Sequence, residues 1–148
     1  METENEQQRD NLETKNQEQI DDQGTGTQKP EKIYDLQERL LAFARRIILM
    51  SKELPRIADY DGPRRQLINA ATSVGANFEE ADGALTKKDF INKLSISRKE
   101  AKETRYWLKV INGICSGERE LTREIKEVEE IICILSSMLI KLGARKYR

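Results

Sequence analysis

The chain contains no histidine. That absence removes His-based triads, His-ligated zinc or haem, and the Glu-x-x-His di-iron motif of helical bundles. Any general base has to be a carboxylate, Lys, Tyr or Cys. Cysteine is scarce as well: Cys115 and Cys133 are too few for a disulfide framework and lack metal-ligand spacing. Both sit in apolar helical context and are expected to be small buried hydrophobes rather than reactive thiols. No secretory h-region opens the sequence. The longest apolar run, residues 131–140, is interrupted by Ser136 and Ser137 and is shorter than the ~20 residues a bilayer span needs. A soluble, cytoplasmic protein with no membrane attachment is expected.

What is present is charge, and it is unevenly placed. The formal net charge over 148 residues is zero, with 26 bases and 26 acids. Residues 1–31 hold nine acids and three bases; residues 32–148 hold 17 acids and 23 bases. Residues 1–30 are almost all polar, with Leu12 and Ile20 the only large aliphatics. Such a segment buries too little apolar surface to offset its ordering entropy, so a disordered acidic tail is expected. It is either a passive solubilising tail or a polyanion that folds back on a basic surface. Residues 31–143 read as one folded domain and residues 144–148 as a short basic tail.

After Pro30 the apolar residues recur at helical spacing. A first helix is expected over residues 33–54, with Ile33, Leu36, Leu40, Phe43, Ile47, Met50 and Leu54 inward and Pro55 ending it. Asp61-Gly62-Pro63 looks like the start of a second helix, running to about residue 81 with Leu67, Ala71, Val74, Phe78 and Ala81 inward. Asp82-Gly83 breaks it. Thr86-Lys87-Lys88-Asp89 resembles a capping box with Asp in place of Glu and opens a third helix, to about residue 114. Gly117 separates it from a fourth, over about residues 118–142, stopped by Gly143. No strand is expected. Four long helices with short connections define an all-α, antiparallel up-down four-helix bundle.

The third helix has three sides at 100° per residue. Phe90, Leu94, Ser97, Ala101, Thr104, Leu108, Ile111 and Cys115 form the bundle seam. Ile96, Glu100, Glu103, Trp107, Val110 and Ile114 form a second cluster, in which aliphatics and an aromatic are mixed with two acids. That mixture fits a protein–protein contact better than a solvated face. The third side is Arg98, Lys102, Arg105 and Lys109. Residues 131–135 and 138–140 of the fourth helix are apolar nearly all round. Leu41, Ile48 and Leu49 of the first helix lie off its seam. This surplus of apolar surface implies self-association. In the second helix Ala70, Ala71, Ser73, Gly75 and Ala76 are small enough for a neighbour's backbone to come close. Ser73, Asn77 and Glu80 border its apolar side as a candidate polar network setting register. Glu79, Glu80 and Asp82 end the second helix and Lys87 and Lys88 begin the third, each set against the macrodipole. They are expected to neutralise each other across the turn, or the acids to meet Arg64 or Arg65 of a neighbouring subunit.

Two stretches together resemble a known family. The first runs Leu67-Ile68-Asn69-Ala70-Ala71-Thr72-Ser73-Val74-Gly75-Ala76-Asn77-Phe78-Glu79-Glu80-Ala81. The second runs from Lys87-Lys88-Asp89-Phe90 to Lys99-Glu100-Ala101-Lys102-Glu103-Thr104-Arg105-Tyr106-Trp107-Leu108. They resemble the four-helix-bundle proteins encoded in intervening sequences of bacterial 23S ribosomal RNA genes, a family similar in turn to the accessory variability protein of diversity-generating retroelements. The shared pattern is Thr-Ser-x-x-x-Asn-x-x-Glu, a basic turn with Asp/Glu-Phe, then Lys-Glu-Ala-x-Glu-Thr-x-Tyr-Trp-Leu, and it covers about residues 32–143. The resemblance implies a homopentameric ring. For the retroelement members it implies a basic surface that binds nucleic acid and a reverse transcriptase.

Three functions compete. The first is a non-enzymatic, homo-oligomeric scaffold that binds RNA, DNA or a nucleoprotein through Arg98, Lys102, Arg105 and Lys109, with Arg145, Lys146 and Arg148 beyond the fourth helix and Tyr147 placed to stack on a base. The second is a protein-interaction module with no nucleic-acid role. The third is an enzyme using Glu80, Glu100 and Glu103 as a carboxylate cluster. It lacks a His, a Gly-rich phosphate loop and a nucleophile–base pair, so no enzyme, cofactor or metal is expected.

Overall fold

The computed structural model describes residues 31–114 and 119–143, with side chains from Leu36 in the first helix and from Leu121 in the last. These residues form four α-helices and no strand: α1 (Glu31–Glu53), α2 (Ala58–Asp82), α3 (Lys87–Ile114) and α4 (Arg119–Lys141). The acidic segment 1–30, Cys115, the side chain of Ile33, and Arg145, Lys146, Tyr147 and Arg148 lie outside the described residues.

The helices pack in chain order, and α4 returns to α1, so each touches two neighbours. Side-chain contacts fix their directions. Gln37 of α1 reaches Glu79 near the end of α2, whereas Arg64 near the start of α2 reaches Ser51 at the end of α1. Ser97 of α3 meets Val74 of α2, and Lys93 meets Glu80. Arg39 and Arg46 of α1 meet Glu127 and Glu124 of α4 in reverse order. Every neighbouring pair with such contacts therefore runs antiparallel.

Periodicity places the core where 3.6 residues per turn requires. Leu36, Leu40, Phe43, Ile47, Met50 and Leu54 are buried from α1, and Leu67, Ala71, Val74, Phe78 and Ala81 from α2. From α3 come Leu94, Ala101, Leu108 and Ile111, and from α4 Leu121, Val128, Ile131, Leu135 and Leu139. Phe90 is half-buried at the edge. Two polar seam residues are tolerated because they are satisfied. Ser97 Oγ donates to the Val74 carbonyl at 2.7 Å, and Thr104 Oγ1 to the Glu100 carbonyl at 2.8 Å.

The α2–α3 turn carries the N-cap half of the expected capping box, with the Asp89 carboxylate taking the hydroxyl of Thr86 instead of its amide. The Asp89 amide donates to Thr86 Oγ1 at 3.1 Å, and the Thr86 hydroxyl donates to Asp89 Oδ2 at 2.7 Å. Elsewhere the structure differs from the sequence reading. α2 begins at Ala58 rather than at Asp61-Gly62-Pro63, which places Pro63 inside the helix. The earlier start buries Tyr60, and that burial offsets the intrahelical bond that Pro63 cannot make. Arg64 is engaged within its own chain. Its guanidinium donates to the carbonyls of Ser51, Leu54 and Pro55 and to Asp61, satisfying acceptors left open where α1 ends. The acids of the α2–α3 turn do not meet Lys87 and Lys88. Glu80 pairs with Lys93, further along α3, and Glu79 accepts from Gln37. Cys133 is exposed, not buried, because the α4 seam passes through Ile131, Ile132 and Leu135 and leaves it outside.

Candidate nucleic-acid interface

α3 carries more positive charge than any other helix of the fold. It carries eight bases and three acids, whereas α2 beside it carries two bases and five acids. Spacing distributes these charges over distinct sides. Lys93, Glu100, Trp107 and Ile114 repeat every seven residues and lie toward α2, as the Lys93–Glu80 pair shows. Lys109 bonds Glu129 of α4 at 3.2 Å, so the side with Arg98, Lys102, Arg105 and Lys109 lies toward α4.

On that basic side Lys102, Arg105, Tyr106, Lys109 and Val110 line one shallow depression. Lys102 and Lys109 are exposed; Arg98 and Arg105 are half-buried. Among the described residues no ion pair engages Arg98, Lys102 or Arg105, whereas Lys109 shares its charge with Glu129. Tyr106 is 58% exposed, and its ring stands edge-on to that of Trp107, with centroids 5.0 Å apart and planes at 77°. Cations beside an open aromatic face match a nucleic-acid strand, since phosphates pair with the bases of the protein and a nucleobase stacks on the ring. The stacking role expected of Tyr147, which lies outside the described residues, has a second candidate in Tyr106. The signal was present: Tyr106 lies four residues after Lys102 and three before Lys109, on one helix side.

The second cluster is less open than its composition suggested. Ile96, Glu100, Glu103, Trp107 and Val110 are half-buried, and Ile114 is exposed. Trp107 packs on the edge of its own core, and its Nε1–H donates to Glu103 at 3.3 Å. Burial, and then the neighbouring Glu103 charge, push the Glu100 carboxyl above its ordinary range, with Lys99 opposing. Along α4, Ile131, Ile132, Leu135 and Leu139 are buried, and Ile134 and Met138 half-buried; Ile140 remains exposed. The larger apolar excess lies on α1, where Leu41, Ile48 and Leu49 are exposed.

Ser73, Asn77 and Glu80 do not join side chain to side chain. Asn77 Nδ2 donates to the Ser73 carbonyl at 2.8 Å, a bond within one turn of α2, and Glu80 is taken by Lys93. An ionic ladder joins α1 and α4, which the sequence pattern alone did not single out. Arg39 forks onto Glu127 at 2.9 Å and reaches Glu130 at 2.6 Å. Arg46 forks onto Glu124 at 2.9 and 3.2 Å, and Arg123 bonds the same carboxylate. Hydrogen bonds from Arg39 hold the Glu127 carboxyl below its ordinary range despite burial, and those to the glutamates raise both Arg39 and Arg46. Two arginines seven apart on α1 and two glutamates three apart on α4 were the available signal.

Among the described residues no cluster of Cys, Asp and Glu is arranged to hold a metal ion, and no helix is long and apolar enough to cross a membrane. Fold and surface together define a class, the antiparallel helical bundles, here with charged and apolar patches on the outside. Within that class the family is clear. Residues 33–140 match the model of the 23S rRNA-intervening sequence protein family, and the chain belongs to that family. A solved structure of a protein of unknown function from the S23 ribosomal protein family of Bacteroides thetaiotaomicron is similar to it. That protein is 35% identical, with a TM-score of 0.67 over 73% of this chain and 97% of its own. No curated protein matches the chain.

Proposed function

We propose that this family member is a non-enzymatic, homo-oligomeric, cytoplasmic scaffold that binds nucleic acid, or a nucleoprotein such as a reverse transcriptase complex, through the outer surface of α3. The observation that carries the reading is the depression formed by Lys102, Arg105 and Lys109 around Tyr106. Repeated on a ring of copies, a pentamer by family resemblance, this patch becomes a band of positive potential that attracts phosphate. Arg145, Lys146 and Arg148, which follow α4 in the sequence, add to the positive charge of the folded part.

The test is fluorescence anisotropy with single-stranded RNA and DNA across a salt series. Affinity is expected to fall steeply as salt rises, because each neutralised phosphate releases a counterion. Lys102→Glu combined with Arg105→Glu is expected to abolish binding, and Tyr106→Ala to weaken it about tenfold at every salt concentration. Unchanged affinity in the double variant refutes this surface.

The exposed α1 residues Leu41 and Leu49 favour a second reading, a module that contacts only proteins. Light scattering distinguishes the two: a monomer that binds no nucleic acid supports the second.

A further inference from the structure

The cations at the start of α3 lack the partners that the sequence places beside them. Lys87 and Lys88 stand in the first turn, where the macrodipole disfavours positive charge. The acids of the α2–α3 turn were expected to neutralise them, but Glu80 pairs with Lys93 and Glu79 accepts from Gln37. Asp89, the acid of that first turn, holds the Thr86 hydroxyl. Among the described residues the ion pairs of α3 are those of Lys93 with Glu80 and Lys109 with Glu129. Lys87, Lys88 and Lys102 are exposed and Arg98 and Arg105 half-buried, and none of them has an acid of the fold to meet.

The chain carries the missing negative charge in one place. Residues 1–22 hold eight acids and two bases, and Gln23-Gly24-Thr25-Gly26-Thr27-Gln28-Lys29-Pro30 join them to α1 without an acid. α1 and α3 each run antiparallel to α2, so α1 begins at the end of the bundle where Lys87 and Lys88 stand. Neighbouring helices pack about 8–10 Å apart, which puts α3 about 13 Å across the diagonal from α1. The joining residues 23–30 reach at most about 29 Å. From Lys88 to Arg105 α3 rises about 26 Å, and residues 1–22 cover that length well short of full extension. The other cations of the bundle are less available. Arg39 and Arg46 are taken by glutamates of α4, Arg64 by Asp61 and the end of α1, and Arg45 shares its groove with Glu79.

We propose that the acidic segment 1–22 docks along the basic side of α3, from Lys87 and Lys88 to Lys102 and Arg105, and competes there with nucleic acid. The competition rests on the nucleic-acid reading above; the docking does not. A single exposed ion pair contributes little. A segment tethered beside its surface, however, acts at an effective concentration on the order of millimolar, and several weak pairs formed together hold it there. Salt screens the docking and the binding of nucleic acid alike. The segment therefore guards the surface against weakly held anions and yields to a strand that places a phosphate at every nucleotide. The formal charge of zero over the whole chain is then the sum of a positive surface and its own cover.

The test compares the full chain with a full-length variant carrying Glu13→Gln, Glu18→Gln, Asp21→Asn and Asp22→Asn, none of which touches the helices. A carbodiimide joins carboxylates directly to lysines in contact, and peptide mass spectrometry maps the joins. In the wild type at low salt, joins from residues 1–22 to Lys87, Lys88 or Lys102 are expected, and they are expected to disappear at about 0.5 M salt, where screening is short-ranged. In the variant they are expected to be depleted, and single-stranded RNA is expected to bind about tenfold tighter at low salt, the gain closing as salt rises. No joins to the lysines of α3, or joins that survive high salt, overturn the docking. Joins in the wild type beside equal RNA affinity in the two chains overturn the competition. Joins in the wild type with no RNA bound by either chain refute the nucleic-acid reading and leave the docking in place.

Discussion

Glutamates line two opposite regions of this bundle, and their circumstances differ. Where α4 meets α1, Glu124, Glu127 and Glu130 are each reached by an arginine, and Glu124 is only 2% exposed. On the outer side of α3, Glu100 and Glu103 sit close together with no ion-pair partner among the described residues, and Glu100 is pushed up by burial. The first set is completed within the chain; the second is not. A half-buried carboxylate without a partner has an electrostatic cost that a compact fold removes easily by substitution. Here it stands beside the half-buried apolar side of α3, the less completed of the two regions.

The largest expected effect breaks the completed side. Arg46→Leu leaves Glu124 buried with only the exposed Arg123 to answer it, and removes the guanidinium stacked 5.8 Å from the Phe43 ring centroid. A loss of about 2 kcal/mol in unfolding free energy is expected from urea titration at neutral pH. This lies below the full cost of stripping a buried pair, because Arg46 is itself partly in solvent. A change within 0.5 kcal/mol, on the order of an ordinary surface substitution, would remove the contrast between the two regions.

The same contrast predicts opposite pH responses. Glu127 is held below its unfolded value, so its contribution is complete above that value, about 4.3 for an unperturbed glutamate, and is lost as pH falls through the lower folded value. The stability difference between the wild type and Arg39→Leu is therefore expected to persist from neutral pH down to the ordinary carboxylate range and to shrink below it. Paired denaturation series from pH 7 to pH 2 measure this. A difference that stays constant to the lowest pH would mean that the ladder contributes through packing rather than charge.

These two regions also differ in how legible they were. The four helices, the core positions and the Thr86–Asp89 cap followed from period and cap chemistry, because each depends on residues within one or two turns. The basic side of α3 was legible for the same reason. What depends on contacts between helices was not. Arg64 was expected only as an alternative partner for acids of a neighbouring subunit, and its bonds to the end of α1 depend on how α1 and α2 pack. Cys133 looked buried because a run of apolar residues does not mark which one points out. The ladder required knowing that α1 faces α4, and the close approach of Leu40 to Gly75 required knowing that α1 also faces α2.

The smallest expected effect sharpens the comparison from the incomplete side. Glu100 has a folded value above its unfolded one, so its ionisation costs stability at neutral pH, and that cost disappears as pH falls below the unfolded value. Glu100→Gln is expected to raise unfolding free energy by no more than about 0.5 kcal/mol in urea titration at neutral pH, small because solvent screens a half-buried charge. The gain is expected to vanish below the ordinary carboxylate range, where Glu100 is protonated in both states. A loss of stability at neutral pH would mean that this carboxylate, like those of the ladder, is answered within the chain.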